Sequence, residues 1–164
     1  MRFRLPILVA LFAGLLTVPL ASAHAADRTR TEVVRIYHEA VSPTNVTGTG
    51  IGTVRTFFIP MAVNGKPADD QYLVGTLTTL TDVMPNGNEL RASNLTFVIG
   101  SEDNQIVLGG VSYYPPAGAT LAPGTKTVRP VLGGSGKYEG ARGQATSVNL
   151  GASGWTHTFR LTLD

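Results

Sequence analysis

The chain has 164 residues, enough for one domain with a sizeable core, and no cysteine, so neither a disulfide nor a thiolate zinc site can support it. Lysine and arginine number 13 against 11 acidic residues, but Arg2 and Arg4 belong to a leader that carries no acid, which leaves 11 of each. That balance, with no cluster of basic residues, excludes the footprint of a nucleic-acid binder and removes the case for a charged membrane surface.

The opening "MRFRLPILVALFAGLLTVPLASAHA" combines two arginines, an apolar run and small residues fitting an A-x-A cleavage site at Ala21-Ser22-Ala23 or Ala23-His24-Ala25. Residues 1–25 therefore read as a secretory signal peptide, and 26–164 as the mature domain, exported to a periplasm or beyond the cell. A membrane anchor is the alternative; the run is short for one. No later stretch is apolar enough to span a bilayer, so no stable membrane insertion is expected after processing.

The mature chain reads as strands throughout. Eight runs rich in Val, Thr, Phe, Tyr and Leu lie between glycine- and proline-bearing breaks. They are Thr31–Ala40, Gly52–Asn64, Gln71–Asp82, Asn88–Ile99, Gln105–Tyr114, Lys126–Leu132, Gly143–Leu150 and Gly154–Leu163. Val41–Gly50 reads as a mobile loop. Asn64-Gly65-Lys66-Pro67, Pro85-Asn86-Gly87-Asn88, Tyr114–Gly118 and Gly151–Gly154 read as turns, because glycine and asparagine accept positive φ. In the last run Trp155, His157, Phe159, Leu161 and Leu163 share one face. In the fourth, Arg91, Ser93, Leu95, Phe97 and Ile99 do. Period two with one apolar face marks half-buried strands. Eight such strands avoid open edges by closing, so the expected fold is all-β, an eight-stranded antiparallel barrel whose interior is filled or holds one small ligand.

"LGGSGKYEGARGQ", Leu132–Gln144, imitates a phosphate loop without its requirements. Lys137 follows Gly136, but position 131 is valine and position 138 is tyrosine, so the Walker spacing and the Mg²⁺ hydroxyl are missing. Gly140 comes one residue too late for a dinucleotide fingerprint, and no helix follows. The glycines Gly133, Gly134, Gly136, Gly140 and Gly143 read instead as a structural turn, with the first three supplying positive φ and small bulk where two segments cross at a barrel rim. Tyr138 reads as a core plug.

These residues carry a resemblance. "VLGGSGKYEGARGQ" resembles the "GGTG-x-F-x-x-ARG" signature of dirigent proteins and of the related allene oxide cyclase barrels. "RIYHEA", Arg35–Ala40, resembles the "FYxHD" of the first dirigent strand, with Glu39 in place of Asp. "YLVGTLTTL…NELRASNLTFVIG" occupies the place of the family's central hairpin. The "NPV…RE" stretch before the dirigent glycines is replaced by "PGTKTVRPV", where only Pro130 matches. The resemblance covers most of residues 31–163. It implies an eight-stranded barrel, a trimer, and a pocket for a hydrophobic, oxygenated small molecule. It also implies catalysis of the isomerase or cyclase kind, in which a reactive intermediate is held in one shape and a few polar groups steer its cyclisation or coupling. No cofactor is implied.

His38 and Glu39 match the family's His-Asp pair and are candidate catalytic residues. As neighbours on a strand they face opposite ways, so only one readily lines the interior, and the sequence leaves open which. Arg142 matches the arginine of the signature, as an oxyanion stabiliser or as a structural arginine tying the turn. His157, on the apolar face of the last strand, reads as a ligand contact or as a hydrogen-bonded core residue. Arg91 and Tyr113 are further candidates for ligand binding. No His-based metal spacing occurs, so no metal site is expected. Asn45-Val46-Thr47 and Asn94-Leu95-Thr96 are glycosylation sequons. The leading expectation is an exported dirigent-like barrel that binds a hydrophobic small molecule and steers its cyclisation or coupling. The alternatives are a lipocalin-like carrier without chemistry, and a surface-interaction protein that uses only the barrel's outside.

Overall fold

The structure is a computed structural model that describes residues 29–40 and 42–163. The expected signal peptide, residues 1–25, lies outside the described residues. The elements are β1 (Arg30–His38), β2 (Asn45–Thr47), β3 (Val54–Val63), β4 (Lys66–Thr79), β5 (Glu89–Ile99), β6 (Gln105–Tyr114), β7 (Lys126–Ser135), β8 (Arg142–Asn149) and β9 (Trp155–Leu163). Short 3-10 turns at Gly136–Tyr138 and Gly151–Ser153 join β7 to β8 and β8 to β9.

All pairings are antiparallel, in the order β1-β9-β8-β7-β6-β5-β4-β3-β2, and β1 also meets β3. Leaving β2 aside, the eight remaining strands close on themselves, so the barrel expected from the eight runs is present. The closure is uneven. β1 pairs with β9 along its whole length, from Arg30↔Leu163 to His38↔Trp155. It meets β3 only at Ile36↔Val63 and Tyr37↔Ala62.

Three expectations need correction. First, Val41–Gly50 contains a strand. β2 pairs with the start of β3, and Thr44 both donates its N–H to the Thr56 carbonyl (2.8 Å) and accepts from the Phe58 N–H (3.1 Å). The start of β3 lies beyond the reach of β1, so its edge groups take this local partner. Second, β4 begins at Lys66, five residues before the expected Gln71. Asn64 (φ 51°) and Gly65 (φ 80°) make a two-residue turn, and the chain re-enters the sheet at once, with Pro67 opposite Ala62. The register then shifts between Pro60 and Ala62, and the Gln71 side chain accepts the Val63 N–H at 3.0 Å. Third, Gly133 and Gly134 lie inside β7, and Gly134 has no positive φ. It is glycine for lack of room, since a Cβ there would collide with the Gln105 carbonyl and with Tyr138. Gly136 (φ 56°) is the residue that turns the chain.

The inward residues divide the barrel into two ends. At the end formed by the start of β1 and the close of β9, Val34, Ile36, Phe97, Ile106, Leu108, Phe159, Leu161 and Tyr138 are buried in one cluster. Tyr138 plugs this end as expected, and each such large apolar side chain contributes about 1.5–3 kcal/mol by burial. At the other end, where β1 finishes and β9 begins, the inward residues turn polar. His38, Arg55, Glu89, Arg91, Arg129, Ser147 and His157 are all buried there.

Candidate functional site

The polar end is built by period two carried past the apolar core. Strand β5 continues inward from Phe97 through Leu95 and Ser93 to Arg91 and Glu89. Glu89 anchors the cluster. Its Oε1 accepts from Arg91 Nε at 2.6 Å and from the Thr79 hydroxyl at 3.2 Å, and Arg55 Nη2 lies 3.9 Å away. Arg55 also donates to Thr79 Oγ1 at 2.9 Å. Burial and the like charge of Arg91 pull the pKa of Arg55 down, against the opposing pull of Glu89.

Arg91 also pins a lid. Its Nη1 and Nη2 donate to the carbonyls of Ala119 (3.1 Å) and Pro115 (2.9 Å), and its guanidinium sits 4.6 Å above the Tyr114 ring. Asn149 Nδ2 holds the Leu121 carbonyl at 2.5 Å. The segment joining β6 to β7 is thus fastened across this end of the barrel.

Inside that lid, two histidines meet. His38 and His157 stack with centroids 5.2 Å apart and planes at 26°. Trp155 lies nearly parallel to His157 at 6.4 Å, and Phe97 meets it edge-on at 5.2 Å. His38 Nδ1–H donates to the Glu39 carbonyl at 2.7 Å, so in the neutral ring Nε2 carries the lone pair. His157 Nδ1 shares a 2.8 Å hydrogen bond with Ser147 Oγ, while its Nε2 is buried without a partner. Burial pushes His157 well below the ordinary imidazole value, and His38 and Arg129 push the same way. Burial also lowers His38, partly offset by its bond to the Glu39 carbonyl.

A hollow of about 100 Å³ lies beside this pair. Its walls are apolar side chains such as Phe57, Leu73, Leu77 and Leu95, with His38, His157, Tyr114, Thr120 and Arg129 among the groups that carry polar atoms. Arg129 donates Nη2 to the Tyr114 hydroxyl at 2.8 Å, and its Nε is buried without a partner. Outside, a cleft of about 640 Å³ follows the incomplete β1–β3 closure, between Tyr37, Phe58, Pro60 and Tyr72. His38 and Ile59 line both spaces.

The sequence candidates separate accordingly. His38 and His157 come together, and His38 is the member of its pair that faces inward, while Glu39 is exposed. Arg91 is inside at 2 % exposure, but as the keeper of Glu89 and the lid. Tyr113 points outward at 52 % exposure, and its neighbour Tyr114 takes the interior place. Arg142 is exposed and pairs with Thr162, at the far end of β9 from the Trp155 that faces His38. It shares no site with the histidines. The five glycines stand at that same far end. Both sequons lie on strands, with Asn45 and Asn94 exposed. Arg55, Glu89, Ser147 and above all Arg129 were missed. Period two signals the last of these, since Arg129 shares a face with Val131. No group of three or more metal-binding side chains occurs among the described residues.

No family model and no curated protein matches the sequence. Solved structures do match in shape. A pyocyanin demethylase superposes with a TM-score of 0.54 at 19 % identity, over 80 % of this chain and 99 % of its own. The pterocarpan synthase dirigent proteins GePTS1 and PsPTS1 each superpose with a TM-score of 0.54 at 12 % identity. They cover 84 % of this chain, and 86 % and 95 % of their own. At such identities the likeness establishes architecture, and on that basis the chain has the fold of the dirigent-type β-barrels.

Proposed function

We propose that the barrel binds a hydrophobic small molecule at its polar end and steers the cyclisation or coupling of a reactive form of it. The supporting observation is His38 on a hollow wall made mostly of apolar side chains, its Nδ1–H bound to the Glu39 carbonyl so that the neutral ring keeps Nε2 to take or return a proton. The hollow is far smaller than the roughly 300–1,000 Å³ of a usual ligand site, so only one group of the ligand enters it. The body of the ligand lies in the cleft along the β1–β3 closure, which shares His38 and Ile59 with the lining of the hollow. A pyocyanin demethylase and two pterocarpan synthases share the barrel, and their aromatic chemistry makes a flat, oxygenated ring system the class to try first.

The alternative is a carrier without chemistry, in the manner of lipocalins. It is favoured by one feature: no carboxylate lines the hollow. Native mass spectrometry of the processed protein, followed by turnover assays with His38→Ala, separates the two. Retention of an apolar compound with His38-dependent turnover supports steering. Retention with no turnover in either protein supports the carrier, and no retention of any apolar compound overturns both.

Two further parts of the reading rest on other features. Export follows from the signal peptide of residues 1–25 and is tested by N-terminal sequencing of the secreted form. Trimer assembly would use the outer faces of β6 and β7, where Val111, Tyr113, Val128 and Leu132 are each more than half exposed. Sedimentation of the wild type against Leu132→Lys tests it.

A further inference from the structure

Arg129 is the feature the fold leaves unexplained. Its side chain is buried, with the whole residue 3 % exposed, and it has no ion-pair partner among the described residues. One hydrogen bond, to the Tyr114 hydroxyl, is neutral, and the Nε–H is left with no acceptor. A buried guanidinium in that condition is costly, because desolvation is offset only by a counter-charge and full hydrogen bonding. The other buried cations at this end illustrate the contrast. Arg91 has Glu89, two carbonyls and the Tyr114 ring, and Arg55 has Thr79 and Glu89.

A second orphan belongs to the same wall. His157 Nε2 is buried and unpaired, and both residues line the 100 Å³ hollow. When the Ser147 hydroxyl donates to His157 Nδ1, the neutral ring carries its proton on Nε2, which is then a second N–H without an acceptor. Two residues of this wall then each carry an unpartnered N–H, one of them on a full positive charge, and no carboxylate is on the wall. Water could accept both hydrogen bonds but would leave the charge of Arg129 uncompensated.

We propose that this hollow is an anion site, in which Arg129 Nε–H and His157 Nε2–H hold the carboxylate, phenolate or enolate oxygen of the ligand. The inference rests on the binding reading above and deepens it: the group that enters the barrel is the ionised one, and the apolar body stays toward the cleft. Delocalised oxygen anions suit the site, since a charge spread over a conjugated system loses less hydration on entering an apolar cavity. The hollow admits about the volume of a carboxylate group with one or two further atoms. Arg129 stands in a stretch, "KTVRPV", that departs from the dirigent pattern, so the site belongs to this chain's own sequence.

The test uses the full processed protein with acetate as probe, acetamide as its neutral counterpart and methylammonium as its opposite charge. The readout is the ring resonances of His157 by NMR, together with the thermal midpoint. Acetate is expected to shift the His157 signals, raise the pKa of that ring and stabilise the fold, while acetamide and methylammonium do neither. Arg129→Met is expected to weaken acetate at least tenfold and to be as stable as the wild type or more so without ligand, because it removes an uncompensated charge. Arg129→Lys keeps the charge and loses the Nε–H, and is expected to fall between the two. Equal response to acetamide and acetate overturns the proposal, as does undiminished acetate binding by Arg129→Met. No response to acetate also overturns it. Apolar-compound retention that is equal in wild type and Arg129→Met would sink the anion site while leaving the hydrophobic reading standing; acetate binding with no apolar compound retained would do the reverse.

Discussion

His38 and His157 stack at 5.2 Å where β1 closes against β9, diagonal neighbours on one inward face because His38 pairs with Trp155 and Ile36 with His157. Two imidazoles buried face to face resist protonation. That makes native stability depend on pH with a definite sign. Each ring has its pKa lowered on folding from the ordinary 6.5, His157 the further. Above pH 6.5 neither folded nor unfolded chain holds the extra proton, and the full stability is present. As pH falls below 6.5 the unfolded chain takes protons that the native rings refuse. Stability then declines by up to about 1.4 kcal/mol per pH unit for each ring until that ring titrates in the native state. Urea unfolding at pH 7.5, 6.0 and 5.0 measures this, and His157→Asn should have the shallower slope. An equal slope in both would show that the imidazole is not the group responsible.

The cluster around Glu89 gives a sharper prediction. Glu89→Gln leaves Arg55 and Arg91 buried without their carboxylate. Removing one partner of a buried ion pair costs about 3–5 kcal/mol, and that loss should be visible in the denaturant midpoint. The lid should loosen with it, because Arg91 also holds Pro115 and Ala119, and amide exchange between residues 115 and 125 should quicken. A loss under about 1 kcal/mol would mean the cluster is solvated rather than dry.

Gly134→Ala should destabilise although its backbone angle is ordinary. The new Cβ would sit 2.6 Å from the Gln105 carbonyl and against Tyr138, between a strand and the core plug. Neither backbone can yield cheaply, and overpacking of this kind costs about 1–3 kcal/mol. A thermal midpoint equal to that of the wild type would place the requirement elsewhere in the glycine stretch.

Arg142→Ala should leave ligand retention and turnover unchanged within twofold, whereas His38→Ala should change both. Arg142 faces Thr162 and His38 faces Trp155, so the length of β9 separates them, about 23 Å at 3.3 Å per residue. A large loss of turnover in Arg142→Ala, with the fold intact, would require that the working end of the barrel is the one Tyr138 plugs.

The alternation of the last and fourth runs was sufficient to place Phe97, Phe159, Leu161 and Leu163 inside and to put Arg91 and His157 on the same faces, because side-chain direction in a strand is a local property with period two; that Arg91 is buried and not in water at the strand end was decided by the tertiary structure. Eight such runs without a helix implied a closed sheet for the same reason. The exposed side of that rule also holds, for it made Glu39 and His38 exclusive alternatives. What the order of residues could not contain is which strand end meets which. Register among strands distant in the chain puts the glycine signature and Arg142 at one rim and the histidines at the other. It also brings Arg129 of β7 to the wall that β1 and β9 supply. Side-chain volumes summed over eight strands, and not any one segment, decide that most of the interior is filled and that a small hollow remains beside a guanidinium with no counter-charge.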